Sequence, residues 1–124
     1  MKISPLDKLF SEYIRKRAMG RVHGCERCLH WKPDYKLLHS AHMFPRRKHA
    51  VRFDPDNAVG LCPGCHRFLD DNALDKVRFF TVLLGQDRFD LLEARANQIY
   101  KPDIEAITLY LKEELKLLED KNGY

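Results

Sequence analysis

The chain has 124 residues, 44% hydrophobic and 32% charged, which suits one compact domain with a modest core. Its 22 lysines and arginines exceed its 18 aspartates and glutamates, so the formal net charge is +4. No apolar run approaches the ~18 residues of a membrane span, and the first residues lack the apolar core of a signal peptide. We therefore expect a cytoplasmic protein with no membrane contact.

The basic residues are concentrated in residues 15–52, where the only acids are Glu26 and Asp34. Such a segment predicts a polyanion-binding face, because neutralising phosphates supplies most of the affinity for nucleic acids. A solvated basic surface is the alternative. Within the segment, the expected DNA contacts are in the loop after the first strand: Arg46, Arg47, Lys48 and Arg52.

Residues 4–18 are predicted to form a helix, because apolar side chains recur at three- and four-residue spacing. Ser4 is a suitable N-cap and Gly20 a suitable stop. A first strand is then expected from Tyr35 to Met43, followed by a polar connection over residues 44–56.

The second half of the chain is predicted to be mostly helical. Ala58–Leu61 forms a short second strand, and the turn after it opens a helix. Further helices are expected over Ala73–Leu84 and 87–99, with a last one from Pro102. The last helix carries an apolar stripe: Ile104, Ile107, Leu111, Leu115 and Leu118. This stripe fits either the core of the domain or a contact with a partner, and the second case would allow a homodimer.

Two Cys-x-x-Cys hooks indicate a metal site, since the two-residue spacer lets both sulfurs of a hook turn toward one tetrahedral ion. They are Cys25 with Cys28, and Cys62 with Cys65. Four thiolates would close the shell of a structural zinc ion, whereas free redox thiols are the alternative. Between the hooks lie 33 residues, too many for an ordinary zinc ribbon, so the clip is expected to close around an inserted hairpin.

Three polar residues of this region are candidates for phosphodiester chemistry. His42 ends the first strand, where a neutral imidazole can act as a base. Asn57 starts the second strand and can tie the loop between them. His66 follows the second hook and can hold a divalent ion with Asp70, which lies four residues further on the same helical face.

The order of hook, His42, basic loop, Asn57, hook and His66 resembles the HNH family of ββα-metal (His-Me finger) nucleases in its zinc-clipped form. The chain is most similar to the phage NinG/Rap recombination proteins, and this resemblance covers nearly all of it. It is carried by Leu9-Phe10-Ser11, Ile14-Arg15-Lys16-Arg17, Ala41-His42-Met43-Phe44-Pro45-Arg46 and Arg52-Phe53-Asp54-Pro55-Asp56-Asn57.

The resemblance implies a DNA endonuclease of phage recombination, acting on branched or single-stranded intermediates in the bacterial cytoplasm. His42 would be the general base, Asn57 the orienting residue and His66 a metal ligand. Many HNH enzymes place a second metal ligand directly before the base, where this chain has Ala41. Asp70 is the first candidate to replace that ligand and His39 the second.

Together these features predict an α+β fold in one HNH nuclease domain, residues 1–124. An N-terminal helix (1–20) and C-terminal helices (73–124) would flank a zinc-clipped ββα-metal core (21–72). The expected reaction is one-metal hydrolysis with Mg²⁺ or Mn²⁺, leaving a 5′ phosphate and a 3′ hydroxyl. The alternatives are a non-catalytic zinc module that binds DNA or a protein, and a redox-responsive adaptor.

Overall fold

The N-terminal helix α1 spans Pro5–Val22 in the computed structural model, which describes residues 2–122. Ser4 and Asp7 form a capping box, in which the Ser4 N–H donates to the Asp7 carboxylate at 2.7 Å. The predicted stop at Gly20 is wrong, because the helix runs two residues further. It ends where His23 adopts a left-handed conformation (φ 51°) and its N–H donates to the Met19 carbonyl.

Two short antiparallel strands form the only sheet of the described residues, β1 (His39–His42) and β2 (Ala58–Leu61). His39 pairs with Leu61, and His42 pairs with Ala58. β2 begins and ends as predicted, but the expected start of β1 at Tyr35 is wrong. Residues 35–37 form a 3-10 turn instead, because the Asp34 side chain accepts a hydrogen bond from the Lys36 N–H.

Helix α1 packs directly on the hairpin, and Gly60 makes this approach possible. A Cβ atom at Gly60 would lie 2.6 Å from the Cβ of Ala18. β2 is buried along its whole length, with Ala18 and Val59 in one core cluster. The sheet therefore has a helix against one of its faces, which leaves β1 to present side chains on the other.

Four helices follow β2: α2 (Pro63–Asp71), α3 (Ala73–Leu84), α4 (Gln86–Ala96) and α5 (Ile104–Asn122). α3 has the predicted bounds. α4 ends three residues earlier than expected, and α5 begins two residues later than Pro102. The later start follows from Asp103, whose side chain accepts from the Ala106 N–H and so caps the first turn.

The apolar stripe of α5 belongs to the core. Leu111 and Leu115 are buried against α1 beside Phe10 and Ile14, with Ile107 and Leu118 partly buried at the edge. Ile104, the first residue of the stripe, remains half exposed. The fold thus combines helices with a small sheet, as the α+β prediction requires. Within residues 2–122, no helix has both the length and the apolar character needed to cross a bilayer.

Candidate functional site

The four cysteines form one cluster, with all four Sγ atoms within 4.8 Å of one another. The Sγ atoms of Cys28 and Cys62 are 3.9 Å apart. A Zn–S bond of about 2.3 Å in a tetrahedron implies an S–S edge of about 3.8 Å, so this separation suits a shared ion. The sulfurs are therefore positioned to bind a metal ion such as zinc, as the paired hooks predict.

Glu26 attaches the first hook to the sheet. Its main-chain N–H donates to the Gly60 carbonyl at 2.9 Å, and its buried carboxylate accepts from the Gly60 N–H at 2.8 Å. Arg21 neutralises this carboxylate at 3.1 Å. Because β2 leads directly into Cys62, these bonds bring the first hook to the second. Arg27 donates to the Cys65 sulfur at 3.3 Å and offsets part of the negative charge of a four-thiolate site.

A cavity of about 540 Å³ opens beside the hairpin, and none of the four cysteines lines it. His42 and Ser40 reach it from β1, and alternation along a strand explains why they share a face. His66 and Asp70 reach it from α2. Its remaining lining residues are Met43, Pro45, Arg46, Arg47 and Lys76.

His42 is largely buried in the wall of this cavity. Burial, followed by the charge of Arg46, lowers its pKa to about 4, while a main-chain hydrogen bond at Arg52 acts in the opposite direction. The Nε2 atom is covered and has no hydrogen-bond partner among the described residues. The lowered pKa keeps His42 neutral at physiological pH, and its Nε2 is a buried polar atom without a partner.

Asn57 ties together the loop between the strands, as predicted. It is fully buried, and its side-chain oxygen accepts from the Phe44 N–H at 2.8 Å. Its amide nitrogen donates to the Phe44 and Val51 carbonyls, both at 3.0 Å. These bonds fix both ends of residues 44–51, the loop that carries Arg46 and Arg47 to the cavity.

Replacing Asn57 with alanine is expected to destabilise the protein by about 3 kcal/mol, because three main-chain groups lose their partner. Urea unfolding measures this loss. Asn97→Ala is the matched control, since Asn97 is exposed and the change should stay within about 0.5 kcal/mol. Equal stability losses in the two variants would contradict the role given to Asn57.

His39 and Asp70 approach His66 from different edges of its ring. The Nδ1 atoms of His39 and His66 are 3.0 Å apart, whereas the Asp70 carboxylate lies 3.3 Å from His66 Nε2. One His66 nitrogen therefore cannot share an ion with both. Asp70 lines the cavity and His39 does not. Burial, the largest influence, lowers the pKa of His66, which favours the neutral form that ligates metals.

The four predicted DNA-binding residues occupy different settings. Arg46 and Arg47 line the cavity, and Lys48 lies beyond it on the same loop. The Arg52 guanidinium instead donates two hydrogen bonds to the Asp7 carboxylate, from Nε to Oδ1 at 3.0 Å and from Nη2 to Oδ2 at 2.6 Å. This pair joins the loop to the start of α1, so Arg52 has a structural contact that the sequence prediction did not include.

Lys76 is a cavity residue that sequence reasoning missed. Its ammonium pairs with the Asp70 carboxylate at 3.0 Å, and it reaches the cavity from α3. No motif marks this lysine, and only the packing of α3 against α2 brings it near the histidines.

Comparison with family models, with curated proteins and with solved structures gave no match to this chain.

Proposed function

We propose that this chain is a metal-dependent endonuclease that hydrolyses phosphodiester bonds in DNA. The proposal includes the HNH assignment, with β1, the basic loop, β2 and α2 as the ββα-metal core. One observation carries it: His42 and His66 line a single cavity whose other charged residues are Asp70, Arg46, Arg47 and Lys76. A base, a pair of possible metal ligands and three cations are the components that phosphodiester hydrolysis requires.

In this proposal a ring nitrogen of His42 accepts the proton of the attacking water. Arg46 and Arg47 hold phosphate oxygens from one side of the cavity and Lys76 from the other. Asn57 fixes the loop that brings Arg46 and Arg47 to the cavity.

The catalytic cation would bind at His66 Nε2 and Asp70. Nitrogen and carboxylate donors 3.3 Å apart fit Mg²⁺ or Mn²⁺, which commonly use one or two protein ligands besides phosphate and water. Such an ion would stabilise negative charge on the phosphorane and the leaving oxygen. His39 then serves as a positioning residue, because its contact with Nδ1 leaves Nε2 free to ligate.

The second candidate function is a non-catalytic zinc module that binds DNA. The Lys76–Asp70 pair favours it, because the ammonium already neutralises the carboxylate that would bind the cation. Ala41 also leaves the usual second ligand position without a donor. Binding of DNA without any cleavage would support this module and contradict the nuclease.

The test uses zinc-loaded protein with branched, overhanging and linear DNA, with Mg²⁺ or Mn²⁺ supplied or omitted. We expect cleavage only with the added cation, and products that carry a 5′ phosphate. His66→Ala should not be rescued by more Mn²⁺. His39→Ala should lose roughly 10- to 100-fold in metal affinity, as loss of an outer partner does, and should recover at high Mn²⁺. The reverse pattern would make His39 the ligand.

A further inference from the structure

A second cavity, of about 380 Å³, lies on the far side of Arg47. We call it the flanking cavity. Arg47 lines both this cavity and the first one, so the two are neighbours along the basic loop. Lys48 and His49 supply further lining from the loop. The rest of the lining comes from residues 96–101, which begin at the last residue of α4.

The lining of the flanking cavity combines positive charge with an aromatic ring. Arg47, Lys48 and Lys101 contribute cations, and its lining residues include no aspartate or glutamate. Tyr100 is 48% exposed, and its hydroxyl donates to the Ala50 carbonyl at 3.4 Å, which limits where the ring can turn. Cations beside an oriented, half-exposed aromatic ring are the two elements with which proteins bind single-stranded nucleic acids.

We propose that the flanking cavity holds one unpaired nucleotide adjacent to the scissile phosphate. Its base stacks on Tyr100, and its phosphates contact Arg47, Lys48 and Lys101. This inference rests on the proposed function, because it takes the first cavity as the site of cleavage. The volume lies within the 300–1,000 Å³ range of small-ligand pockets, which accommodates a nucleotide.

The occupant is unpaired rather than duplex DNA for a physical reason. A base inside a duplex has both faces covered by its neighbours, so it cannot stack on a tyrosine at the protein surface. Duplex DNA would use only the cations and leave the apolar lining, Tyr100 and the fully exposed Ile99, facing water. The occupant is therefore a nucleotide whose base is not stacked within a duplex.

The test measures binding of the full-length, zinc-loaded protein to two labelled DNAs, a blunt duplex and the same duplex with a single-stranded flap. No cleavage cation is added. We expect Tyr100→Ala to weaken flap binding about 5- to 100-fold, the effect of losing one base stack, and to change duplex binding less than about twofold. Tyr100→Phe, the matched control, keeps the stacking ring and loses only the hydroxyl bond, so it should retain most of the flap affinity.

Lys101→Glu is the second variant, chosen because Lys101 is exposed and its replacement should leave the fold intact. It should weaken flap binding and reduce the salt dependence by about one phosphate contact. An unchanged flap affinity in both Tyr100→Ala and Lys101→Glu, or an equal loss on both DNAs in Tyr100→Ala, overturns the inference. If the wild type cuts DNA while these variants behave normally, only this inference fails; if it binds neither DNA, the proposed function fails.

Discussion

Substitution of Cys25 by serine is expected to abolish stoichiometric zinc binding and to unfold most of the protein at room temperature. A closed zinc site contributes about 10 kcal/mol or more to folding, whereas a whole domain is stable by only ~5–15 kcal/mol. Cys25 is fully buried, so no solvent ligand can take its place. Zinc content after dialysis and a thermal melt followed by circular dichroism measure the two effects.

Gly64→Ala is the matched control for this prediction. Gly64 lies between the two cysteines of the second hook, and a Cβ atom there would meet nothing within 4 Å. The variant should keep its zinc and its melting temperature. A Cys25→Ser protein with wild-type zinc content and melt would contradict the structural role of the cluster. Reactive thiols without zinc in the wild type would favour the redox-responsive adaptor.

The cysteine cluster and the loop anchor were predictable because local chemistry determines them. The two-residue spacer turns both sulfurs of each hook to one side, whatever the rest of the fold does. Asn57 sits beside a polar loop in which unpaired main-chain groups require a partner. The structure has both features: four clustered sulfurs and three bonds from Asn57 to the loop.

The contacts of Arg52 and Lys76 were not predictable, because they join distant parts of the chain. Arg52 and Asp7 are separated by 45 residues, and nothing in either segment identifies the other as its partner. Lys76 is one of several lysines on amphipathic helices, and its position follows from the angle at which α3 leaves α2. Sequence periodicity gives the face of a helix but not the neighbour of that face.

The side on which His39 approaches His66 was also beyond the sequence. Strand alternation places residues 39 and 41 on one face and residues 40 and 42 on the other. That argument made His39 a candidate ligand near Ala41. It could not tell whether His39 would meet Nδ1 or Nε2 of His66, which depends on where α2 begins relative to β1. The structure places His39 Nδ1 3.0 Å from His66 Nδ1, and under the proposed function His39 positions that ring.

His42→Ala is expected to lower the rate of metal-dependent DNA cleavage roughly 10²- to 10⁴-fold, the usual contribution of a general base. DNA binding should persist, because Arg46, Arg47 and Lys76 remain to hold the phosphates. Single-turnover cleavage and a binding titration on the same DNA measure the two quantities. His30→Ala, which changes an exposed histidine outside the cavity lining, is the matched control and should cut normally.

The pH dependence of cleavage offers a sharper test of the same residue. A base works in its neutral form, and burial with the Arg46 charge lowers the His42 pKa to about 4. Protonation of His42 should therefore lower the cleavage rate near pH 4, rather than near the ordinary histidine pKa of 6.5. This decline forms the acid limb of the pH–rate profile. Arg46→Gln removes one of the charges that lower the His42 pKa and should move this limb toward higher pH.

The same shift predicts how stability changes with pH. The pKa of His42 is about 4 when folded and 6.5 when unfolded, so protonation favours the unfolded chain. The resulting stability, on the order of 3 kcal/mol, is fully present above pH 6.5 and is lost as the pH falls toward 4. Asp7, whose pKa is lowered from 3.8 to about 2, acts only below this window.

The pKa of His66 is also lowered, so its protonation destabilises the folded protein in the same way. A variant that lacks only the His42 imidazole is therefore needed to separate the two contributions. His42→Leu replaces the imidazole with an apolar side chain that does not titrate. Its unfolding free energy should fall less steeply between pH 6.5 and 4 than that of the wild type. A wild-type His42 resonance that titrates near 6.5 by NMR would contradict both the buried neutral imidazole and the low acid limb of cleavage.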